Sequence, residues 1–197
     1  MSWLEPVTLR APAVCLEPLS QAHHDDLVAA TRDGELWKLW YTTVPAPETM
    51  RAVIDERRAS QAAGNMLPFA VRSTTTNRAV GMTTYLNVEP ANRRLEIGNT
   101  WYAKSAQRTA LNTQAKWLLL THAFERLDCI AVEFRTHYHN RQSRRAIERL
   151  GAKLDGVLRS HRVMADGSLR DTCVYSVVAS EWPTVRLLLN ANLVSSV

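Results

Sequence analysis

At 197 residues, 46% of them hydrophobic and 22% charged, the chain has enough apolar material for one good core and hardly for two, so a single domain over 1–197 is expected. No run approaches the roughly 20 apolar residues of a membrane span, and the start, MSWLEPVTLRAP, has neither the basic nor the apolar region of an export signal; a cytoplasmic protein with no membrane partner is expected. The net charge of +5 arises from 24 basic residues dispersed among 19 acidic ones, and it suits either a polyanionic partner or a multiply phosphorylated cofactor.

In chain order, Val14 to Leu19 is a short strand signal, and Ser20 is placed to cap a helix over 21–32 whose first turns carry Asp25 and Asp26. Pro45 and Pro47 break the chain before a second helix, about 48–63, stopped by Gly64. Leu67 to Arg72, Ala79 to Val88 and Arg94 to Tyr102 are β-rich runs joined by the polar turns STTTNR and EPANRR, which predicts an antiparallel meander. Strand alternation in the third run puts Leu95, Ile97, Asn99 and Trp101 on one face, and Glu96, Gly98, Thr100 and Tyr102 on the other, less apolar one.

A long helix follows over 109–127, with Leu120, Ala123, Phe124 and Leu127 at helical spacing. Then come a strand over 129–136, an amphipathic helix over 140–150 ended by Gly151, and two β runs, 156–164 and 169–178, turned at Asp166-Gly167. A last helix starts near Glu181 to Pro183. The fold class is therefore α+β: a mixed, mainly antiparallel sheet with flanking helices. Cys15, Cys129 and Cys173 are far apart in apolar runs and read as buried thiols, and no Cys/His cluster has metal-ligand spacing, so no metal is expected.

Chemistry concentrates in Lys104 to Lys116, KSAQRTALNTQAK, where a strand passes through a polar turn into a helix. Such a turn presents backbone N–H groups at the positive end of the helix dipole, where a pyrophosphate can be held. Downstream, His139-Asn140-Arg141-Gln142-Ser143 precedes RRAIERLGAKLDGVLR. The element order and both motifs resemble the GNAT superfamily, over roughly residues 7 to 185. The first is similar to its acetyl-CoA loop, Gln/Arg-x-x-Gly-x-Gly/Ala; the second to its Asn-x-x-Ser helix, Leu-Gly turn and Asp-Gly-x-Leu-Arg strand. The nearest branch is similar to ribosomal-protein N-terminal acetyltransferases.

The resemblance implies a sheet with a central splayed gap and transfer of acetyl from acetyl-CoA to a primary amine, a protein N-terminus or a small molecule. It places CoA contacts at Gln107, Arg108, Thr109, Ala110, Leu111, Asn112 and Thr113, with Ala110 and Asn112 standing where the family has small residues, and at Asn140. Asn140 is suited both to the pantetheine amides and to capping its helix. Either Ser143 or Tyr138 would protonate the leaving thiolate, Ser143 having a packing role as its ordinary alternative. Glu96 is the candidate general base; the alternative is a solvated strand residue paired with Arg93 or Arg94. A homodimer is compatible with the resemblance, and no nucleic-acid partner is expected.

Three further groups are weighed. Trp37, Trp40 and Tyr41 either line an acceptor pocket or pack on the second helix, the commoner arrangement. Arg159 and His161 share a strand face that can reach an acceptor, and His122 reads as a packing histidine. Two other classes remain: a non-catalytic acyl-CoA-binding module, favoured by the substituted glycines, and a basic nucleic-acid-binding domain, for which NRQSRRAIER is the candidate patch.

Overall fold

A computed structural model describes residues 3–194. The strands are β1 (Leu9–Arg10), β2 (Val14–Pro18), β3 (Leu67–Ser73), β4 (Ala79–Glu89), β5 (Arg94–Tyr102), β6 (Ala131–His137), β7 (Lys153–Val163) and β8 (Leu169–Val178). The helices are α1 (His24–Arg32), α2 (Met50–Ala62), α3 (Ala110–Glu125), α4 (Arg141–Glu148) and α5 (Trp182–Val194). All eight strands form one sheet in the order β1-β2-β3-β4-β5-β6-β8-β7. Every neighbouring pair is antiparallel except β5 and β6, whose connection runs through α3. Only β1, two residues long at the sheet edge, has no counterpart in the sequence reading.

Both faces of the sheet are covered, which is why its strands carry apolar residues at successive positions. On one face Phe69, Tyr85, Leu95, Ile97, Val132 and Phe134 pack against α3, α4 and α5. On the other, Ala70, Met82 and Trp101 meet Leu27 of α1 and Met50 and Ile54 of α2. Full burial of one such Leu or Ile contributes about 1.5–3 kcal/mol. α3 is buried on several sides at once, with Leu111, Ala115, Leu118, Leu119 and Leu120 all inaccessible. It fills the layer between the sheet and α5.

The alternation expected along β5 holds from Leu95 to Gly98 and then reverses. Asn99 takes a left-handed backbone (φ 48°), and the β4–β5 register slips between Met82↔Trp101 and Thr84↔Gly98. The extra residue is a β-bulge. It turns Trp101 into the α1/α2 core and Tyr102 into the α3 core, the opposite of simple alternation. Gly81 tolerates the bulge because it has no side chain; a Cβ there would lie 2.2 Å from the Trp101 carbonyl.

Candidate active site

β5 and β6 pair over three residues only, Arg94↔Ala131, Leu95↔Val132 and Glu96↔Glu133. Beyond that point both strands continue, to Tyr102 and His137, without pairing to each other. The facing edges therefore carry backbone N–H and C=O groups that an inserted extended ligand can satisfy. This is the splayed gap, and Glu96 stands at its vertex.

Glu96 is 5% exposed and lies on the α1/α2 side of the sheet. Its carboxylate accepts a 2.7 Å hydrogen bond from Asn87 Nδ2 and has Arg135 Nε at 3.6 Å. Burial pushes its pKa up, and Arg135 and Asn87 oppose that rise. The carboxylate folds back over Gly98, where an added Cβ would come 2.7 Å from Glu96 Oε1, so a side chain there would have to displace it. The solvated alternative is thereby corrected. Arg93 is engaged by Asp128 and Arg94 by Glu133, because Glu96 points into the vertex and away from both.

At the mouth of the gap, β5 leads through Gln107, Arg108 and Thr109 into α3. Arg108 is left-handed (φ 61°), and Thr109 caps the helix, its hydroxyl accepting from Leu111 N. The first N–H groups of a helix have no intrahelical carbonyl to meet, so those of Ala110 and Asn112 point outward at the positive end of the dipole. Gln107 Nε2 donates to the Tyr102 carbonyl, and its Oε1 accepts from Gln142 Nε2 of α4 at 3.3 Å. The loop after β5 and the helix after β6 are thus tied across the opening. Thr113 follows in the first turn of α3.

Asn140 caps α4 by accepting from the Ser143 backbone N–H at 3.0 Å, and this occupies its Oδ1. Ser143 is partly buried in the first turn of α4. Tyr138 sits just past β6, its exposed ring under the Arg144 guanidinium at 4.9 Å. Asn140, Ser143 and Tyr138 therefore cluster at the start of α4, while Glu96 lies at the vertex and faces the α1/α2 side.

Trp40 does not pack on α2. The segment between α1 and α2 reaches over to the end of β6, where Trp40, 56% exposed, meets His137 (5.2 Å) and His139 (6.2 Å) edge-on or tilted, with Tyr41 beside it. Arg159 and His161 do not share a face, because Ser160 is a left-handed bulge residue (φ 47°) between them. Arg159 pairs with Asp171, whereas the His161 ring bonds Thr172 Oγ1. His122 stacks on Tyr85 as a packing residue, and all three cysteines are free and buried.

Two groups escaped the sequence reading. Glu133 and Arg135, alternate residues on β6, hold Arg94 and Glu96 respectively. Their alternation with Val132 and Phe134 was the available signal. Lys116, on α3 and 6% exposed, directs its amine to Thr100 Oγ1 (2.7 Å) and Thr83 Oγ1 (3.2 Å) beside the β5 bulge. No carboxylate lies within ion-pair distance of it among the described residues, and burial pushes its pKa down to about 7. A lysine nearly two turns into a helix carries no sequence mark of such a fate.

The described residues thus form an α+β fold, an eight-stranded mixed sheet whose one parallel pair splays beneath a helix N-terminus. Residues 13–153 match the family model described as Acetyltransferase (GNAT) domain, and the chain belongs to that family. The putative ribosomal N-acetyltransferase YdaF of Bacillus subtilis (strain 168) is 33% identical over 102 residues, 52% of this chain and 55% of that protein, so the match spans about half the length of the curated relative. A GCN5-related N-acetyltransferase from Brucella melitensis superposes with a TM-score of 0.86 at 30% identity, over 96% of this chain and 86% of that one. Mycobacterium smegmatis RimJ, solved in complex with CoA-disulfide, shares the fold at TM-score 0.79 and 24% identity, over 95% and 93% of the two chains.

Proposed function

We propose that this protein transfers acetyl from acetyl-CoA to the α-amine of a protein N-terminus by direct attack. The observation that carries the reading is the splayed gap itself, with a helix N-terminus at its mouth and a buried carboxylate at its vertex. The acceptor class is supported by the similarity to the Bacillus subtilis protein, a putative ribosomal N-acetyltransferase.

The chain's residues fit the co-substrate. The outward N–H groups of Ala110 and Asn112, in the turn from Gln107 to Thr113, suit a pyrophosphate. The unpaired edges of β5 and β6 suit an amide-bearing pantetheine arm. Because the Asn140 side chain already caps α4, its remaining amide N–H groups are what it can offer that arm. Bound acetyl-CoA supplies the activated acyl group. Glu96 accepts the proton of the acceptor ammonium, directly or through water; the free amine forms the C–N bond as the C–S bond breaks, the acylated nitrogen sheds its second proton to solvent, and Ser143 or Tyr138 gives a proton to the thiolate and is reprotonated from solvent. Holding the amine against the thioester contributes to rate independently of any one side chain.

Calorimetric titration with acetyl-CoA, followed by thiol release against an amine panel, tests this reading. Saturable binding and turnover of a peptide amine are expected. Neither heat nor thermal shift at millimolar acetyl-CoA would overturn it, and binding without turnover of any amine would leave an acyl-CoA-binding module. In the same assay, Ser143→Ala and Tyr138→Phe identify the proton donor by which of them lowers kcat.

Asn112 gives a separate expectation. Its side chain stands partly exposed where pyrophosphate would approach, so Asn112→Gly should leave acetyl-CoA affinity equal or better, as read by calorimetry. A large loss would show instead that the amide contacts the cofactor.

A further inference from the structure

The vertex face carries more positive charge than its own carboxylates balance. Glu96 and Glu133 are matched by Arg135 and Arg94. Above them, the β7–β8 hairpin brings in Arg162 and Arg170. These two are direct cross-strand partners, an arrangement of like charges that costs free energy in an antiparallel sheet. Neither has a carboxylate within ion-pair distance among the described residues, and Arg170 spends its Nε on Thr172 Oγ1. Both lie within electrostatic reach of Glu96.

Across the cleft, Arg57 of α2 repeats the pattern. Its partly buried guanidinium donates to Thr84 Oγ1 at 3.2 Å and forms no ion pair among the described residues. Thr84 pairs in register with Gly98, over which the Glu96 carboxylate lies, so Arg57 overhangs the same row of the sheet from the other wall. Two walls of unpaired guanidinium thus flank one buried carboxylate. Arg57 and Arg170 are partly buried and Arg162 is exposed, and guanidinium groups that make no ion pair are what an anionic partner would engage.

We infer that the acceptor is a polypeptide N-terminus with acidic side chains in its first few residues, its carboxylates received by Arg162 and Arg170 of the hairpin and by Arg57 of α2 while its α-amine meets Glu96. An extended chain advances about 3.3 Å per residue, so carboxylates at its second to fourth positions fall within roughly 10 Å of the amine, the span over which these charges act. A polypeptide is favoured over a free amino acid because the unpaired arginines stand on two elements, more than one carboxylate can reach, and because Trp40 stands exposed against His137 at the end of β6, where the gap opens. The inference rests on the proposed N-acetyltransferase reading and adds the sequence class of its acceptor.

Three peptides of equal length test it, each starting with Ser and followed by Glu-Glu, Gln-Gln or Lys-Lys, with free glutamate as a fourth acceptor. kcat/KM for the acidic peptide should exceed that for the neutral one by about tenfold or more at low salt, and the ratio should shrink in 0.5 M salt. Arg170→Glu should shift preference towards the lysine peptide, and Arg57→Gln should lower the acidic-to-neutral ratio, while calorimetric affinity for acetyl-CoA stays within about twofold. Equal use of the three peptides overturns the inference, as does a preference for free glutamate over all of them. Peptide binding is also titrated directly: acidic-selective binding without turnover upholds the surface and sinks the catalytic reading, whereas turnover without charge selectivity does the reverse.

Discussion

Replacing Glu96 with Gln is expected to lower kcat/KM for an amine acceptor by roughly 10²- to 10⁴-fold, the range typical of losing a general base, with acetyl-CoA affinity near that of the parent. Gln preserves shape in the slot above Gly98 and still accepts from Asn87 Nδ2, so the change is one of proton affinity more than of packing. The pH profile carries the diagnosis. Burial raises the Glu96 pKa, and the base works only when ionised, so kcat/KM of the parent should fall as pH drops through a pKa above the ordinary Glu value. In Glu96→Gln that limb should vanish, leaving only the titration of the amine itself. Steady-state kinetics from pH 5 to 9 reads both effects. Undiminished turnover in the variant would remove the base and leave positioning as the source of rate.

Lys116→Met should stabilise the protein in an unusual pH window. The amine is 6% exposed and meets only two threonine hydroxyls, and burial takes its pKa down to about 7. In the unfolded chain a lysine titrates near 10.4. Between these values the unfolded state binds the extra proton, so the parent's stability rises with pH across that interval. Below pH 7 both states are charged and the full cost of burying the ammonium is present. Methionine removes that cost and keeps the volume, while Thr83 and Thr100 retain their mutual 2.8 Å hydrogen bond. The expected gain is on the order of 2 kcal/mol at pH 6, fading as pH climbs from 7 towards 10. Urea unfolding at a series of pH values measures it. A loss of stability at pH 6 would show that the amine's bonds to the bulge outweigh its desolvation.

Much of the fold was legible because local signals agreed with the global arrangement. Ser20 stands at the turn before α1, Thr109 caps α3, Asn140 caps α4 and Gly167 turns the last hairpin with positive φ, each marked by residue type. The elements of the candidate site were legible in parts. The turn at Gln107 to Thr113 and the Asn140/Ser143 helix start were visible as motifs, and the faces of Glu96 and Gly98 followed from alternation. Alternation failed one residue later, at Asn99, because a β-bulge is chosen by the fit between two strands and leaves only a weak trace in either. The two readings of Trp40 could not be separated for a related reason: an exposed aromatic and a packed one look alike until the partner surface is known.

The sequence by itself determined the order and kind of the elements, the turns between them and the family, since periodicity, caps and spaced motifs are properties of neighbouring residues. Only the tertiary structure decided where β5 and β6 part, that Glu96 is buried under Arg135, that Lys116 faces two hydroxyls, and that Arg57, Arg162 and Arg170 stand on the Glu96 side of the sheet with no ion pair among the described residues. Burial and electrostatic environment arise from groups distant in the chain, so the charge state and chemistry of a side chain are set by the assembled fold and not by its neighbours in sequence.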